Sequence, residues 1–421
     1  MIINDVKISD PQVTSRIIIH GGAGNIRKDN LPKPSYDAYR AALLSVLSES
    51  QLLLSKPDAT ALDVATHAVT LLEDNPLFNC GKGAVFTRAG TTELESSIMV
   101  SNGYRKRGVG CMTLKTVKNP IKLAHEMLIR GEYVDGGGAQ GHSQLSGEYL
   151  EGLAKKWGLE IVSPEYFFTQ RRWDEHIRGL QREKTDESGK SDHDPSWDGQ
   201  EYLPQGTVGA VVLDSFGTIC TATSTGGLTN KLPGRIGDTP TLGAGFWAEE
   251  WSQERLALPQ TVYHQPFLSW TQMLTNYLVS GVGFAENCLP QRLLPMITNT
   301  AKVSIAELKP RPIRHAVGLS GTGNGDSFLR LSAIRTAAAM SRFSRIPLAT
   351  AVDAIAGHGG ELERSAGDRW SKTGEGEGGI IGIELVDTKS NVVWNYNCGG
   401  MFRAWVDDEG EHRFMAFRDD Y

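Results

Sequence analysis

Paired cysteines, a basic excess and long apolar runs are all missing from this 421-residue chain. Its five cysteines (Cys80, Cys111, Cys220, Cys288 and Cys398) are widely spaced with no CxxC among them. That pattern argues against a disulfide framework or a zinc site and for reduced thiols in a cytoplasmic protein. Lys and Arg number 43 against 49 Asp and Glu, a net charge of −6, so the dense positive face that a phosphate backbone requires is not expected. No stretch of ~18 apolar residues is available to span a bilayer. The opening MIINDVKISDPQVTS has neither the basic start nor the apolar centre of a secretory leader. Histidines in HExxH-like spacing are absent as well, so a catalytic metal is not expected. The chain reads as soluble, with neither nucleic acid nor membrane as a partner.

What remains is an ordinary globular composition, 40% hydrophobic and 22% charged, with an unusual supply of 47 glycines that becomes informative only where they cluster. Arg16 to His20 is a β-branched run halted by Gly21 and Gly22, the pattern of a buried strand entering a glycine turn. Apolar residues at three- and four-residue spacing predict helices over Tyr36–Leu54 and Ala61–Leu72, the second capped by Asp58 or Thr60. Asn75 to Gly90 reads as a structured loop. Helices are expected at Pro120–Arg130 and Gly147–Trp157, then a polar, aperiodic linker at about 178–205. Val208–Asp214 and Thr218–Thr223 form a hairpin around Ser215-Phe216-Gly217. Further on come a helix around Trp270–Val282, a strand at His315–Leu319, helices at Asp326–Met340 and Leu348–Ala356, and strands at Gly379–Leu385 and Val392–Tyr396. Strands at the start, middle and end with helices grouped between them suggest an α+β chain whose sheets are covered by helices.

The chemistry concentrates at Gln205-Gly206-Thr207-Val208. A hydroxyl residue that opens a buried strand, after a glycine and a polar linker, suits self-cleavage that exposes an N-terminal nucleophile. The glycine tolerates the strained backbone that attack on its own carbonyl needs. A free α-amine of pKa ≈ 7.7–8.0 can then act as base to the Thr207 hydroxyl. Taken alone a Gly-Thr pair is uninformative, and other readings stay open. Arg235 and Asp238 could be a surface ion pair, and Thr322-Gly323-Asn324-Gly325 a turn or a phosphate cradle before a helix. His20 could be structural, and Glu375 with Glu377 a solvated loop.

The wider pattern narrows these choices. His20-Gly21-Gly22-Ala23-Gly24, Asn75-Pro76-Leu77-Phe78-Asn79, Thr223-Ser224-Thr225-Gly226-Gly227, the run from Asn230 to Asp238 and the run from Ser320 to Asp326 occur in order. Together they resemble the plant-type L-asparaginase and isoaspartyl peptidase family of threonine N-terminal nucleophile hydrolases. The resemblance runs from Arg16 to Gly179 and from Gly206 to Trp405, apart from an extra block at about 251–314. It implies a four-layer αββα sandwich cut between Gly206 and Thr207 into an α chain, 1–206, and a β chain, 207–421, of one domain. Thr207 matches the nucleophile and Thr225 the second threonine, whose hydroxyl sits beside it. Thr322 and Gly323 match the oxyanion donors. Arg235 and Asp238 match the clamp on the substrate's α-carboxylate and α-amine, within a substrate-binding set of Arg235, Ile236, Gly237, Asp238, Thr322, Gly323, Asn324 and Gly325. A structural sodium ion on the backbone carbonyls of Leu72, Glu73, Asn75, Phe78, Cys80 and Lys82 is implied too, with no organic cofactor and a homodimer of αβ units.

The implied reaction is hydrolysis of the side-chain amide of L-asparagine, or of a β-aspartyl dipeptide, through a β-aspartyl ester. The guanidinium of Arg235 suits a carboxylate held bidentately, and Asp238 suits the neighbouring ammonium. Two departures stand out, Val100 where relatives commonly carry Asp, and Cys398-Gly399-Gly400-Met401 where Thr-Glu-Gly-Met is frequent. Glycosylasparaginase and a threonine aspartase-like protease are the enzymatic alternatives, although Gln205-Gly206-Thr207-Val208 lacks the His-Asp-Thr-Ile-Gly of the former. An uncleaved scaffold of the same fold is the non-enzymatic one.

Overall fold

A computed structural model describes residues 13–186, 206–254 and 312–419. The chain divides into one compact unit, Met1–Trp251 with Arg314–Tyr421, and a second, Ser252–Ile313. The expected helix at Trp270–Val282, nearly all of the 251–314 block and the end of the polar linker lie outside the described residues.

The first unit is built on two sheets. Strands β1 (Arg16–Gly24), β2 (Leu94–Val100), β3 (Gly108–Leu114), β4 (Gln144–Ser146), β5 (Val208–Leu213), β6 (Ile219–Thr225), β11 (Gly400–Val406) and β12 (His412–Met415) form an eight-stranded sheet in the order β12-β11-β1-β5-β6-β2-β3-β4. Among the described residues of this sheet, only β3 and β4 pair in parallel. Strands β7 (Phe246–Gln253), β8 (Ile313–Gly323), β9 (Gly378–Val386) and β10 (Lys389–Tyr396) form the second, in the order β10-β9-β8-β7.

Side chains alternate along a strand, and the packing follows that alternation residue by residue. On β1 and β5, Ile17, Ile19, Val208, Ala210 and Val212 pack with α1 (Lys33–Leu54), α2 (Ala61–Asp74), α3 (Pro120–Ile129) and α4 (Gly147–Lys156). Their neighbours Ile18, Val211 and Leu213 pack instead with Ile381, Ile383 and Leu385 of β9. On the far side of β8 and β9, Val317, Leu319 and Ile380 meet α6 (Gly325–Leu331), α7 (Ala333–Ser344), α8 (Leu348–Ala356) and α9 (Glu361–Ala366). β5 is thus buried on both faces, which is why it reads as the unbroken apolar run Val-Gly-Ala-Val-Val-Leu.

Several elements differ from their expected bounds for local reasons. α2 starts where Thr60 Oγ1 accepts the Asp63 N–H at 3.1 Å, so Thr60 is the cap. The helix expected over Asp326–Met340 is two helices, broken at Ser332, whose φ of +44° is left-handed. The polar linker was expected to begin near Arg178, but α5 (Gln170–Asp186) extends through its first nine residues. Buried Arg172 and His176 and half-buried Trp173, Ile177 and Leu180 recur on one face of α5, and Arg172 Nε donates to Gly83 O at 2.7 Å.

The two sheets approach closely where β8 crosses β5 and β6. A Cβ on Gly318 of β8 would lie 2.3 Å from Ile219 Cγ2 and 3.0 Å from Val211 Cγ1. Gly318→Ala is therefore expected to overpack the interface and lower stability by roughly 1–3 kcal/mol, read as a fall in melting temperature. An unchanged melting temperature would contradict so close an approach.

Candidate active site

Thr207 is the residue immediately before β5. The pairs Gly209–Thr223 and Val208–Ser224 of the β5–β6 ladder, continued by one step, set Thr207 opposite Thr225 at the end of β6. Alternation turns Thr207 to the same side as Val211, toward β8, where Thr322 stands fully buried. The preceding glycine is wedged in place. A Cβ on Gly206 would fall 2.3 Å from Gly22 Cα, 2.6 Å from Ala23 N and 2.8 Å from Thr322 Oγ1. Gly22 itself follows a register shift in β1 and has φ +117°, a conformation that favours glycine. Ala23 N–H donates to Thr322 Oγ1 at 3.3 Å. The Gly-Gly turn of β1, the Gly206–Thr207 junction and the end of β8 are therefore in mutual contact.

The hydroxyl bonded to Thr207 is that of Thr239, 2.9 Å away and fully buried. Thr225 was expected in that place; it lines the same cleft, but its Oγ1 accepts the Gly227 N–H at 3.0 Å. Thr239 is fixed in turn, because its carbonyl accepts Ser97 Oγ–H at 2.6 Å and Thr223 Oγ1–H at 3.3 Å.

Thr207, Thr225, Arg235, Asp238, Gly323 and Gly325 line one cleft together with Glu95. The Arg235 guanidinium donates to Asp326 Oδ2 at 2.9 Å, an acid 63% exposed in its side chain. Asp238 is buried, and its Oδ2 has no hydrogen-bond partner among the described residues. Burial pushes its carboxyl up to about 7, against the pull of Arg235 and with a further push from Glu95. A buried carboxylate oxygen without a hydrogen bond is costly. Gly325 leaves room for both side chains, since a Cβ there would lie 2.5 Å from Asp238 Oδ1 and 2.9 Å from Arg235 Nη2. Gly323, at φ +142°, leaves room for the carbonyl of Glu377, which a Cβ would meet at 2.4 Å.

Not every expected residue faces the cleft. Ile236 is 38% exposed and does not line it. Asn324 caps α6, its Oδ1 accepting Ser327 N–H at 3.0 Å and Ser327 Oγ–H at 2.7 Å. Gly237 acts through its backbone, donating to Glu95 Oε1 at 3.0 Å. His20 is buried against Ser320 Oγ at 2.7 Å, and burial drives its imidazole down to about 3 although the Thr207 backbone opposes this. It stays neutral at physiological pH and packs behind the junction.

Glu95, Thr239 and Asp326 carry weight here that the sequence reading did not assign. Thr239 directly follows the Arg235–Asp238 motif and Asp326 closes the Thr322 loop, so both lay within one residue of a recognised signal. Glu95 had no such marker.

The loop after α2 gathers carbonyl oxygens. A Cβ on Gly81 would lie 2.3 Å from Glu73 O, and one on Gly83 would lie 2.1 Å from Phe78 O and 2.6 Å from Pro76 O. The carbonyls of Leu72, Asn75 and Cys80 accept the N–H groups of Asn75, Phe78 and Gly83 at 3.3, 3.3 and 3.0 Å. Among the described residues no cluster of three His, Cys, Asp or Glu side chains is placed to hold a metal, and no helix is long and apolar enough to cross a membrane.

This geometry meets independent similarity. The sequence profile of the asparaginase family matches residues 13–253, more than half of the chain. An isoaspartyl peptidase of Salmonella typhimurium is 32% identical over 391 residues, covering 92% of this chain and 94% of that protein. An isoaspartyl peptidase of Escherichia coli is equally similar, at 32% over 391 residues and 92% of each chain. A plant-type L-asparaginase of Pyrococcus furiosus is 35% identical over 241 residues, 56% of this chain and 70% of that one. A profile match of that extent, with relatives aligned almost end to end, makes this chain a member of the asparaginase family, and a hydrolase.

Proposed function

We propose that the chain is a self-processing threonine amidohydrolase that releases the side-chain amide of L-asparagine and cleaves β-aspartyl dipeptides. The convergence of Thr207, Gly323 and the Arg235–Asp238 pair on one cleft, with Thr322 buried at the adjoining Gly206–Ala23 contact, carries this reading. The names of the relatives, isoaspartyl peptidase and L-asparaginase, agree with it.

Maturation begins in the unbroken chain, where the Thr207 nitrogen is still an amide. Thr207 Oγ attacks the Gly206 carbonyl carbon, the C–N bond breaks as the nitrogen takes a proton, and an ester joins Gly206 to Thr207 Oγ. Water hydrolyses that ester, leaving a Gly206 carboxylate and a free Thr207 amine. The wedging of Gly206 against Gly22 and Ala23 favours this chemistry by holding the carbonyl still.

In turnover the free amine takes the proton of Thr207 Oγ as it attacks the substrate's side-chain carbonyl. Arg235 grips the α-carboxylate and Asp238 the α-ammonium. Thr322 Oγ–H and Gly323 N–H receive the oxyanion. As the tetrahedral intermediate collapses, ammonia or an amino acid departs with the proton held by the amine. Water then hydrolyses the β-aspartyl ester and L-aspartate leaves. Thr239 holds the hydroxyl of Thr207 through the 2.9 Å contact, and Thr225 shapes the wall opposite.

The mature protein is an αβ unit of 1–206 and 207–421 folded as a four-layer αββα sandwich and paired as a homodimer in the cytoplasm. Helices packed on the outer side of each sheet support the layering, and Cys80, Cys111, Cys220 and Cys398 as free thiols support the compartment. The loop carbonyls of Leu72, Glu73, Asn75, Phe78, Cys80 and Lys82 fit a structural sodium ion, because glycines at 81 and 83 let oxygens crowd where a side chain would otherwise stand. A hard cation there would brace the loop, and no catalytic step passes through it.

Three measurements test the reading. Thr207→Ala should remain one band of 45.9 kDa on a denaturing gel and be inactive, whereas the parent splits in two; a variant that still splits at this bond removes Thr207 from the nucleophile's role. Thr322→Ala should lose roughly 10²–10³-fold in kcat with a smaller change in KM, and retained turnover would remove it from the oxyanion site. The third is pH dependence. A carboxyl raised to about 7 is neutral below that pH and ionised above it, and only the ionised form holds an ammonium. kcat/KM should therefore fall as pH drops below 7, approaching a slope of about tenfold per pH unit. A flat profile between pH 5 and 7 would remove Asp238 from the ammonium site.

A further inference from the structure

We propose that Glu95 is a positioning residue that, through the Gly237 N–H, sets where Arg235 and Asp238 stand and so fits the cleft to a head group bearing both an α-carboxylate and an α-ammonium. The head group is the one that the amidohydrolase reading supplies; the role of Glu95 is additional to it.

Glu95 lies on β2 opposite Thr225 of β6, and residues directly opposite in an antiparallel pair share a face. It is fully buried, and both of its carboxylate oxygens accept the same N–H, that of Gly237, at 3.0 and 3.3 Å. Gly237 stands in the chain between Arg235 and Asp238, so this bond fixes the peptide from which both functional side chains diverge. A Cβ on Gly237 would lie 2.8 Å from Arg235 Nη1 and 3.1 Å from Glu95 Oε2. Guanidinium and carboxylate thus flank one bare Cα.

A second tie secures the other end of the same turn. Glu93 Oε2 accepts the Gly234 N–H at 2.7 Å, and the Glu93 carbonyl accepts Lys231 Nζ–H at 2.8 Å. The loop from Lys231 to Asp238 is therefore held at both sides of Arg235 by the residues that begin β2. A carboxylate buried in this way needs a reason, and general fold stability is a poor one, because Glu95 bonds a single loop amide at the wall of the cleft. Reach is what that contact demands. Aspartate at position 95 would withdraw the carboxylate by one methylene, whereas glutamine would still present an acceptor oxygen at the same distance.

L-aspartate, which carries the same head group, serves as the probe. Its Kd would be measured by calorimetry on the full-length protein and on the Glu95→Ala, Glu95→Asp and Glu95→Gln variants, with KM and kcat for a β-aspartyl dipeptide on the same samples. Self-processing on a gel and melting temperature report folding. Glu95→Ala and Glu95→Asp should raise both Kd and KM at least tenfold with kcat within about threefold, and Glu95→Gln should stay within threefold throughout. Parent-like binding by Glu95→Asp, a Glu95→Gln variant as weak as Glu95→Ala, a fall in kcat at unchanged KM, or no L-aspartate binding by the parent would each overturn the proposal. If Glu95→Ala fails to fold, the Asp and Gln variants decide. A parent that binds L-aspartate in a Glu95-dependent way yet neither splits nor hydrolyses would leave this role standing while the amidohydrolase reading falls.

Discussion

The site depends on one steric constraint, the approach of Gly206 to the Gly22–Ala23 turn and to Thr322. No side chain fits at position 206, because its Cβ would sit 2.3 Å from the Gly22 backbone. That closeness needs three things at once: a register shift in β1 next to Gly22, a residue without a side chain at position 206, and a second sheet near enough for β8 to deliver Thr322. Glycines supply each of them. Gly209 belongs to the same set, since a Cβ on it would fall 2.3 Å from Ser320 Oγ and 2.5 Å from His20 Nε2. The sheets can converge here because the strands that face one another are stripped of side chains at the points of contact, while Ile18, Val211, Ile381 and Ile383 fill the interface alongside. Protein interiors are packed too densely for such an approach to be accommodated by relaxation, so the packing of the two sheets sets the position of the junction.

That origin explains which parts of the molecule were legible in the sequence. β1, β5 and β6 are buried on both faces and so carry β-branched or small apolar runs, which mark them as strands without any further information. α2 announces itself through Thr60 and a clean apolar spacing. Leu94-Glu95-Ser96-Ser97 conceals β2, because its buried positions include an acid at the cleft and hydroxyls bonded to the carbonyls of Pro120 and Thr239, and Gly108–Leu114 conceals β3 behind glycine and sulfur residues of weak strand preference. The break at Ser332 is invisible for a different reason, since the apolar period runs on through it and only the left-handed backbone shows the turn. The first turns of the polar segment after Arg178 looked unfit to pack because few apolar residues mark them; α5 continues there by docking one face on the loop at Gly83 and on Asn230.

Chemistry was legible in the same uneven way. Thr207, Arg235, Asp238 and Thr322 sit in short glycine-bearing motifs whose order along the chain is itself a signal. Thr239 and Glu95 act on those residues from outside the motifs. Thr239 adjoins the Arg235–Asp238 motif without belonging to it, whereas a glutamate in an alternating segment has nothing in its own neighbourhood to separate it from a surface residue. Only the strand register reveals that Glu95 stands opposite Thr225.

The charges at the cleft separate a binding site from a structural ion network. Burying an ion pair seldom stabilises a fold more than apolar packing would, so buried charges held for structure are normally satisfied by the chain itself. Arg172 shows that pattern: its Nε donates to Gly83 O at 2.7 Å and its Nη1 to Glu175 Oε2 at 2.8 Å, with both side chains almost wholly buried. The pair at the cleft breaks the pattern. Arg235 rests on an exposed acid, Asp326, and Asp238 keeps one buried oxygen unpaired among the described residues, and both groups line the same cleft. On the proposed reading, a ligand carrying a carboxylate and an ammonium on one carbon would meet both groups together, and its ammonium would offset the desolvation of Asp238. A cleft built in that way would discriminate by the head of its substrate and leave the identity of the leaving group open.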